Sequence, residues 1–134
     1  MNCLNGHIID LSGVGNLTIV RIKVDEVLFS AIVIGRKEDD TQMVQGREVE
    51  ILFNESEVVI GKNIAGKLSM GNSVGCIVKS MENGKVFSRV GLDLHGFTIY
   101  SLMATEVCNQ MDIHLLDEVE MFVRMNDVFL QYPE

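Results

Sequence analysis

The chain has 134 residues, of which 47% are hydrophobic and none is Trp, and its formal net charge is −8. This is enough apolar material for a buried core in one ordinary domain or in two very small ones. The acidic charge and the scarcity of aromatic side chains argue against nucleic acid and against an anionic membrane surface as partners. A small anion is still allowed, because backbone N–H groups and hydroxyls can bind one locally.

The first residues lack the basic and apolar regions of a signal peptide, and no stretch approaches the about 18 apolar residues of a membrane span. Cys3, Cys76 and Cys108 are odd in number and far apart, and no Cys-x-x-Cys occurs. They are therefore interpreted as reduced thiols in or near the core. Together these features predict a cytoplasmic protein without membrane insertion.

In the first half of the chain, residues 17–24 alternate apolar and polar side chains, with Val20, Ile22 and Val24 on one face. This period predicts a half-buried strand. The apolar run 27–34 predicts a fully buried one. Two further strands are predicted at 48–53 and 57–60, and a short polar helix is the weaker prediction for 36–43.

The segment 61–67 spells Gly-x-x-x-x-Gly-Lys, the spacing of a phosphate-binding loop. Leu68 stands where such a loop has a Ser or Thr for magnesium, and residues 69–78 are Gly-rich and then strand-like instead of helical. The segment is therefore interpreted as a linker between two halves.

The second half repeats the pattern of the first. Strands are predicted at 86–94, 97–103, 118–123 and 127–131, and Thr105 is a suitable N-cap for a short helix to about residue 111. The two halves align without a gap at an offset of 70 residues. The clearest matched positions are Asn2 with Asn72, Val20 with Val90, Glu48 to Glu50 with Glu118 to Glu120, and Val58 with Val128.

This organisation predicts an all-β protein with two tandem repeats, residues 1–64 and 65–134. Five short strands and one short helix in each repeat are typical of a small antiparallel barrel of the oligonucleotide/oligosaccharide-binding (OB) type. His7, His95 and His114 lack metal-ligand spacing, and no catalytic triad or carboxylate pair is evident. The sequence thus predicts a protein that is not an enzyme and has no metal centre or organic cofactor.

Polar residues collect at the predicted strand ends. A tetrahedral oxyanion needs several N–H and O–H donors that converge on one point, with a cation nearby. Ser, Gly and Asn are also ordinary turn residues, so composition alone leaves both interpretations open. The candidate ligands are Ser69, Gly71, Asn72, Arg124 and Asn126 in the second half, and Asn2 and Ser56 in the first.

The ordered set of these residues resembles the Mop family, also described as TOBE domains, which are molybdate-binding modules. The family pattern opens with Ser-Ala-Arg-Asn and closes with Lys-Ala-Ser-x-Val. The second half matches it with Ser69-Met70-Gly71-Asn72 and Arg124-Met125-Asn126-Asp127-Val128, and the first half with Asn2 and Asn54-Glu55-Ser56-Glu57-Val58. The resemblance covers essentially the whole chain and is closest to the free-standing tandem (di-Mop, molbindin-like) kind.

The resemblance implies a cytoplasmic binder of molybdate or tungstate for molybdenum homeostasis, by buffering, storage or delivery linked to molybdate transport. It also implies that the anion lies between modules, often between subunits of a homo-oligomer. A trimer is favoured over a dimer, and a molybdate transporter is a candidate contact.

Several positions depart from the family pattern. The family's Arg is Gly71 in the second half and Met1 in the first, and its Lys is Arg124 and Asn54. Two alternatives follow. Either the anion site is redistributed, or the chain is a degenerate module that acts as a protein-interaction or regulatory partner without binding the anion.

Overall fold

The structure is a computed structural model that describes residues 1–133. Within them the chain forms ten β-strands and one α-helix. The first five strands are β1 (Asn2–Val14), β2 (Leu17–Val24), β3 (Val27–Ile34), β4 (Glu48–Phe53) and β5 (Val59–Gly61). The other elements are β6 (Gly71–Asn83), β7 (Phe87–Leu94), β8 (Phe97–Ala104), α1 (Thr105–Gln110), β9 (Glu118–Arg124) and β10 (Phe129–Gln131). Short 3-10 turns lie at Lys37–Asp39, Glu55–Glu57 and Met125–Asp127.

The all-β prediction is confirmed, and β2, β3 and β4 begin and end where the sequence pattern placed them. The alternating residues Val20 and Val90 are both fully buried and occupy equivalent strands, β2 and β7. The helix predicted near 105–111 is present, although Ala104 and not Thr105 is its N-cap. No helix in residues 1–133 is long and apolar enough to cross a membrane.

The helix predicted at 36–43 is wrong. Only a 3-10 turn forms there, at Lys37–Asp39, and none of its residues is buried. A short helix in water depends on the burial of an apolar face, and this segment offers one buried side chain, Met43. The charged residues therefore remain in a loop.

The strands form two five-stranded antiparallel sheets, with orders β10-β4-β1-β2-β3 and β5-β9-β6-β7-β8. Each sheet takes four strands from one half of the sequence and its outermost fifth strand from the other half. Leu130 of β10 pairs with Ile51 of β4, and Ile60 of β5 pairs with Met121 of β9. The sequence pattern did not indicate this exchange. The boundary predicted between residues 64 and 65 divides the two sequence repeats, but it does not divide the strands between the two sheets.

Side chains next to the exchanged strands anchor them. The Lys62 ammonium lies 3.0 Å from the Asp117 carboxylate. Beside β10 the Arg47 guanidinium lies over the Tyr132 ring, 5.9 Å from its centroid, and donates to the Pro133 carbonyl at 3.2 Å. The anchors occupy repeat-related positions, 62 with 132 and 47 with 117. The exchange therefore follows the internal repeat, and buried residues of both halves form one continuous core.

The cysteines are free thiols. Cys76 and Cys108 are buried, as predicted, and burial raises the pKa of the Cys76 thiol to about 11. Cys3 is a free thiol, but its predicted location in or near the core is wrong. Its side chain is on the exposed face of β1, with its sulfur 3.7 Å from the Glu50 carboxylate, because odd-numbered positions at the start of this strand face solvent.

Two buried asparagines bridge the sheets. Asn72 accepts a hydrogen bond from the Ser30 N–H through Oδ1 (2.7 Å) and donates to the Ser30 carbonyl through Nδ2 (2.9 Å). Asn2 makes the same two bonds with the backbone of Tyr100, at 2.8 and 2.9 Å. Ser30 lies in β3 and Tyr100 in β8, the outermost strands of their sheets. Each asparagine amide therefore replaces a missing neighbouring strand.

We expect Asn72→Ala to lower the free energy of unfolding by about 2–4 kcal/mol, because the Ser30 N–H and C=O would each lose a partner and an unpaired buried group costs about 1–3 kcal/mol. Urea denaturation followed by circular dichroism measures the change. Asn5→Ala, at an exposed asparagine of β1, is the control and should change stability by no more than about 0.5 kcal/mol. Equal urea midpoints for the two variants would show that the bridge does not hold the sheets together.

Candidate functional site

The candidate residues fall at two junctions between the halves, related by the 70-residue offset. At the first junction, the start of β1 and the turn Glu55–Glu57 pack against β8. At the second junction, the start of β6 and the turn Met125–Asp127 pack against β3. Asn2 and Ser56 belong to the first junction. Gly71, Asn72, Arg124 and Asn126 belong to the second, and Ser69 lies in the turn that leads into it.

Gly71 and Arg124 are direct neighbours across β6 and β9 at the second junction. Gly71 has a φ of +89°, and a Cβ there would lie 2.6 Å from Cγ of Met125. A side chain at position 71 is therefore disfavoured both by the backbone and by space. Position 71, where the Mop pattern has its Arg, therefore offers no cation, and a cation at this junction can come only from another residue.

Arg124 can supply that cation. It is exposed at the end of β9, and no acidic side chain forms an ion pair with it within the part of the chain that the structure describes. The side chains of Ser69 and Asn126 are exposed as well. The second junction thus has an exposed cation paired across the strands with a glycine backbone, and an exposed hydroxyl and an exposed amide lie within two residues of these positions in the sequence.

The two asparagines have a different environment. Asn2 and Asn72 are 3% and 2% exposed, and their amides bind the backbone of the opposite half. The geometry supports a positioning role, in which each asparagine fixes the strand end that carries the neighbouring groups. Direct contact between these amides and an anion stays a prediction.

A charged cluster closes the first junction. The Arg89 guanidinium donates to the Glu55 carboxylate from Nε at 2.8 Å and from Nη2 at 3.3 Å. It also lies 3.5 Å from the centroid of the Tyr100 ring, and the amino group of Met1 is 3.2 Å from Glu55 Oε2. The hydrogen bond from Arg89 lowers the pKa of the Glu55 carboxyl, so the pair is ionic at neutral pH.

Sequence reasoning did not select Arg89, Tyr100 or Glu55 as members of a site. Arg89 looks like an ordinary outward-facing residue of β7. The repeat alignment contains a signal that could have identified two of them. A charged residue of one half is matched with an apolar residue of the other, Arg89 with Ile19 and Glu55 with Met125. Ser101 completes this junction, because its hydroxyl donates to the Val58 carbonyl at 2.8 Å and holds the end of the turn against β8.

Residues 1–133 contain no group of three or more His, Cys, Asp or Glu side chains placed to hold a metal ion. The chemistry available at the second junction is binding of a small anion by a cation and neutral hydrogen-bond donors.

No family model and no curated protein matches the sequence. The fold is similar to that of a solved structure, a crystal form of the cytoplasmic molybdate-binding protein ModG grown from polyethylene glycol with molybdate bound. The TM-score is 0.92 and the sequence identity 22%, over 98% of this chain and 96% of that chain. At this identity the likeness establishes the fold, and it confirms the prediction of two tandem OB-like barrels.

Proposed function

We propose that this protein is a cytoplasmic binder of molybdate or tungstate that acts without catalysis. It would buffer, store or deliver the oxyanion in molybdenum homeostasis, in connection with molybdate transport and in contact with a transporter. The observation that carries the proposal is the likeness to molybdate-bound ModG over nearly the whole chain. The oxyanion is the only ligand proposed, with no organic cofactor.

The second junction is the proposed site. Arg124 would provide positive charge and two parallel donors, and Gly71 would allow the backbone N–H groups to approach the anion. Ser69 and Asn126 would add a hydroxyl and an amide, while Asn72 holds β6 against β3. Asn2 and Ser56 would contribute to an equivalent site at the first junction. That site could accept an anion only if the Glu55 carboxylate moved away from Arg89.

We expect Arg124→Ala to weaken molybdate binding by about tenfold to a hundredfold, because a hydrogen bond to a charged group contributes about 1.5–3 kcal/mol. Asn54→Ala, at the matching position of the first half, should have a smaller effect because Asn54 carries no charge. Isothermal titration calorimetry with molybdate and with tungstate measures both.

The matched control is Arg36→Ala, which removes an exposed arginine from the loop after β3, where it lies 3.6 Å from the Asp39 carboxylate, and which should leave the affinity unchanged because Arg36 is not one of the candidate ligands. Equal affinities for Arg124→Ala and Arg36→Ala would place the site elsewhere. Absence of binding heat for the unmodified protein at millimolar oxyanion would favour the alternative function, a Mop-type module that binds a protein partner and no anion.

We also propose that the protein is a homo-oligomer, with a trimer favoured over a dimer. Large apolar side chains are exposed at the ends of several strands. Further copies of the chain would cover these side chains in an oligomer. Val14, Leu17 and Ile34 are 89%, 54% and 80% exposed and lie opposite one another on β1, β2 and β3. In the second half Val86 and Phe87 are 63% and 62% exposed.

Light scattering at tens of micromolar is expected to give about three times the mass of one chain. Ile34→Glu combined with Phe87→Glu should lower that mass toward one chain, because a charge would be buried without a partner at each contact. Val59→Glu, at an exposed apolar residue outside this set, serves as the control and should leave the oligomer intact. A single-chain mass for the unmodified protein would overturn the proposal.

A further inference from the structure

The two junctions share a backbone arrangement but differ in chemistry at one position of the turn. Both are built from a strand end, a buried asparagine bridge and a 3-10 turn. The difference lies in the first residue of the 3-10 turn that follows the fourth strand of each half. At the second junction the turn begins with Met125, which packs over Gly71. At the first junction it begins with Glu55.

The Glu55 carboxylate is held as a bound oxyanion would be. Its two oxygens each accept a hydrogen bond from one guanidinium, that of Arg89, in a two-point arrangement. The Glu55 side chain is only 19% exposed, and the guanidinium is stacked on Tyr100. These contacts fix the position of Arg89 from two sides.

The charges at the two junctions are balanced differently. Arg89 already has a carboxylate partner at the first junction. Arg124 at the second junction forms no ion pair with any acidic residue among residues 1–133. One junction is therefore neutralised by the protein itself, and the other keeps a cation that is open to solvent.

We propose that the first junction contains a latent oxyanion site centred on Arg89, and that the Glu55 carboxylate occupies it as a built-in ligand. External oxyanion consequently binds at the second junction and not at the first. The nature of the external anion rests on the proposed function above, whereas the existence of the latent site rests on the Glu55–Arg89–Tyr100 geometry alone.

A tethered carboxylate competes effectively with a free anion. Because Glu55 is part of the same chain, its effective concentration beside Arg89 is in the millimolar range or above. Removal of the carboxylate leaves Arg89 on the Tyr100 ring with one distant acidic neighbour, the exposed Glu82 at 3.9 Å, and leaves the amino group of Met1 without its Glu55 partner. A tetrahedral oxyanion can then take the vacated position between Arg89 and the amino group of Met1, and these two positive charges match the double negative charge of molybdate or sulfate.

The test is calorimetric titration of molybdate, and separately of sulfate, into the unmodified protein, Glu55→Ala and Glu57→Ala. Glu55→Ala should bind one oxyanion per chain more than the unmodified protein does. Glu57→Ala removes an exposed glutamate from the same turn and should bind the same number as the unmodified protein. In Glu55→Ala combined with Arg89→Met, the added site should weaken by about tenfold or more.

Thermal unfolding in the presence of oxyanion gives a second readout. Added molybdate should raise the melting temperature of Glu55→Ala more than that of Glu57→Ala, because a ligand that binds only the folded state stabilises it. If Glu55→Ala does not fold without anion, Glu55→Ser takes its place in both measurements and must show the same gain.

The outcomes separate this inference from the proposed function. No binding by the unmodified protein, together with one site in Glu55→Ala, would support the latent site and overturn the proposed function. Binding by the unmodified protein with no added site in Glu55→Ala would overturn the latent site and leave the function standing. An equal gain in Glu55→Ala and Glu57→Ala would mean that any reduction of negative charge suffices, which also overturns the inference.

Discussion

The arrangement of the two barrels depends on hydrogen bonds that complete the outer edges of the sheets. β10 pairs with β4 and β5 pairs with β9, so each sheet receives its fifth strand from the other half of the chain. At the opposite edges, the Asn72 and Asn2 amides bind the otherwise unpaired backbone groups of Ser30 and Tyr100. Unpaired backbone groups at such edges would be costly when buried. Each half therefore supplies hydrogen-bond partners for the edge strands of the other, and the strand ends of the two halves meet at two fixed junctions.

The repeat has kept this backbone and changed the side chains around it. Both asparagine bridges are present, because both are needed to complete the sheets. The positively charged side chains, in contrast, are not repeated. Arg89 and Arg124 have no charged counterparts in the first half, because the matching residues are Ile19 and Asn54. Arg89 is neutralised by Glu55 and Arg124 is open. This difference is the basis of the proposal that two junctions with the same backbone arrangement differ in their affinity for an external anion.

Local patterns in the sequence were sufficient for most strands but not for their partners. The period of two residues located β2 and β7, because every second residue of both strands is buried, although Gly91 of β7 is buried as well. It did not locate β1, where Asn, Gly and Ser interrupt the apolar positions. The exchange of β5 was not predictable, because a short apolar strand fits either sheet equally well. The repeat alignment identified Asn2 and Asn72 as a matched pair, but only the structure shows that their amides bind backbone. The Glu55–Arg89 pair depends on tertiary placement across 34 residues of chain and leaves no local signal.

In the proposed arrangement, one junction accepts an external oxyanion while the other is filled by the protein's own carboxylate. A crystal of the unmodified protein grown with molybdate, with diffraction data recorded at the molybdenum absorption edge, tests this claim most directly. The anomalous difference map should contain a molybdenum peak beside Arg124 and Gly71, and none between Arg89 and Glu55. A peak beside Arg89 with Glu55 displaced, or no peak at either junction, would contradict the account.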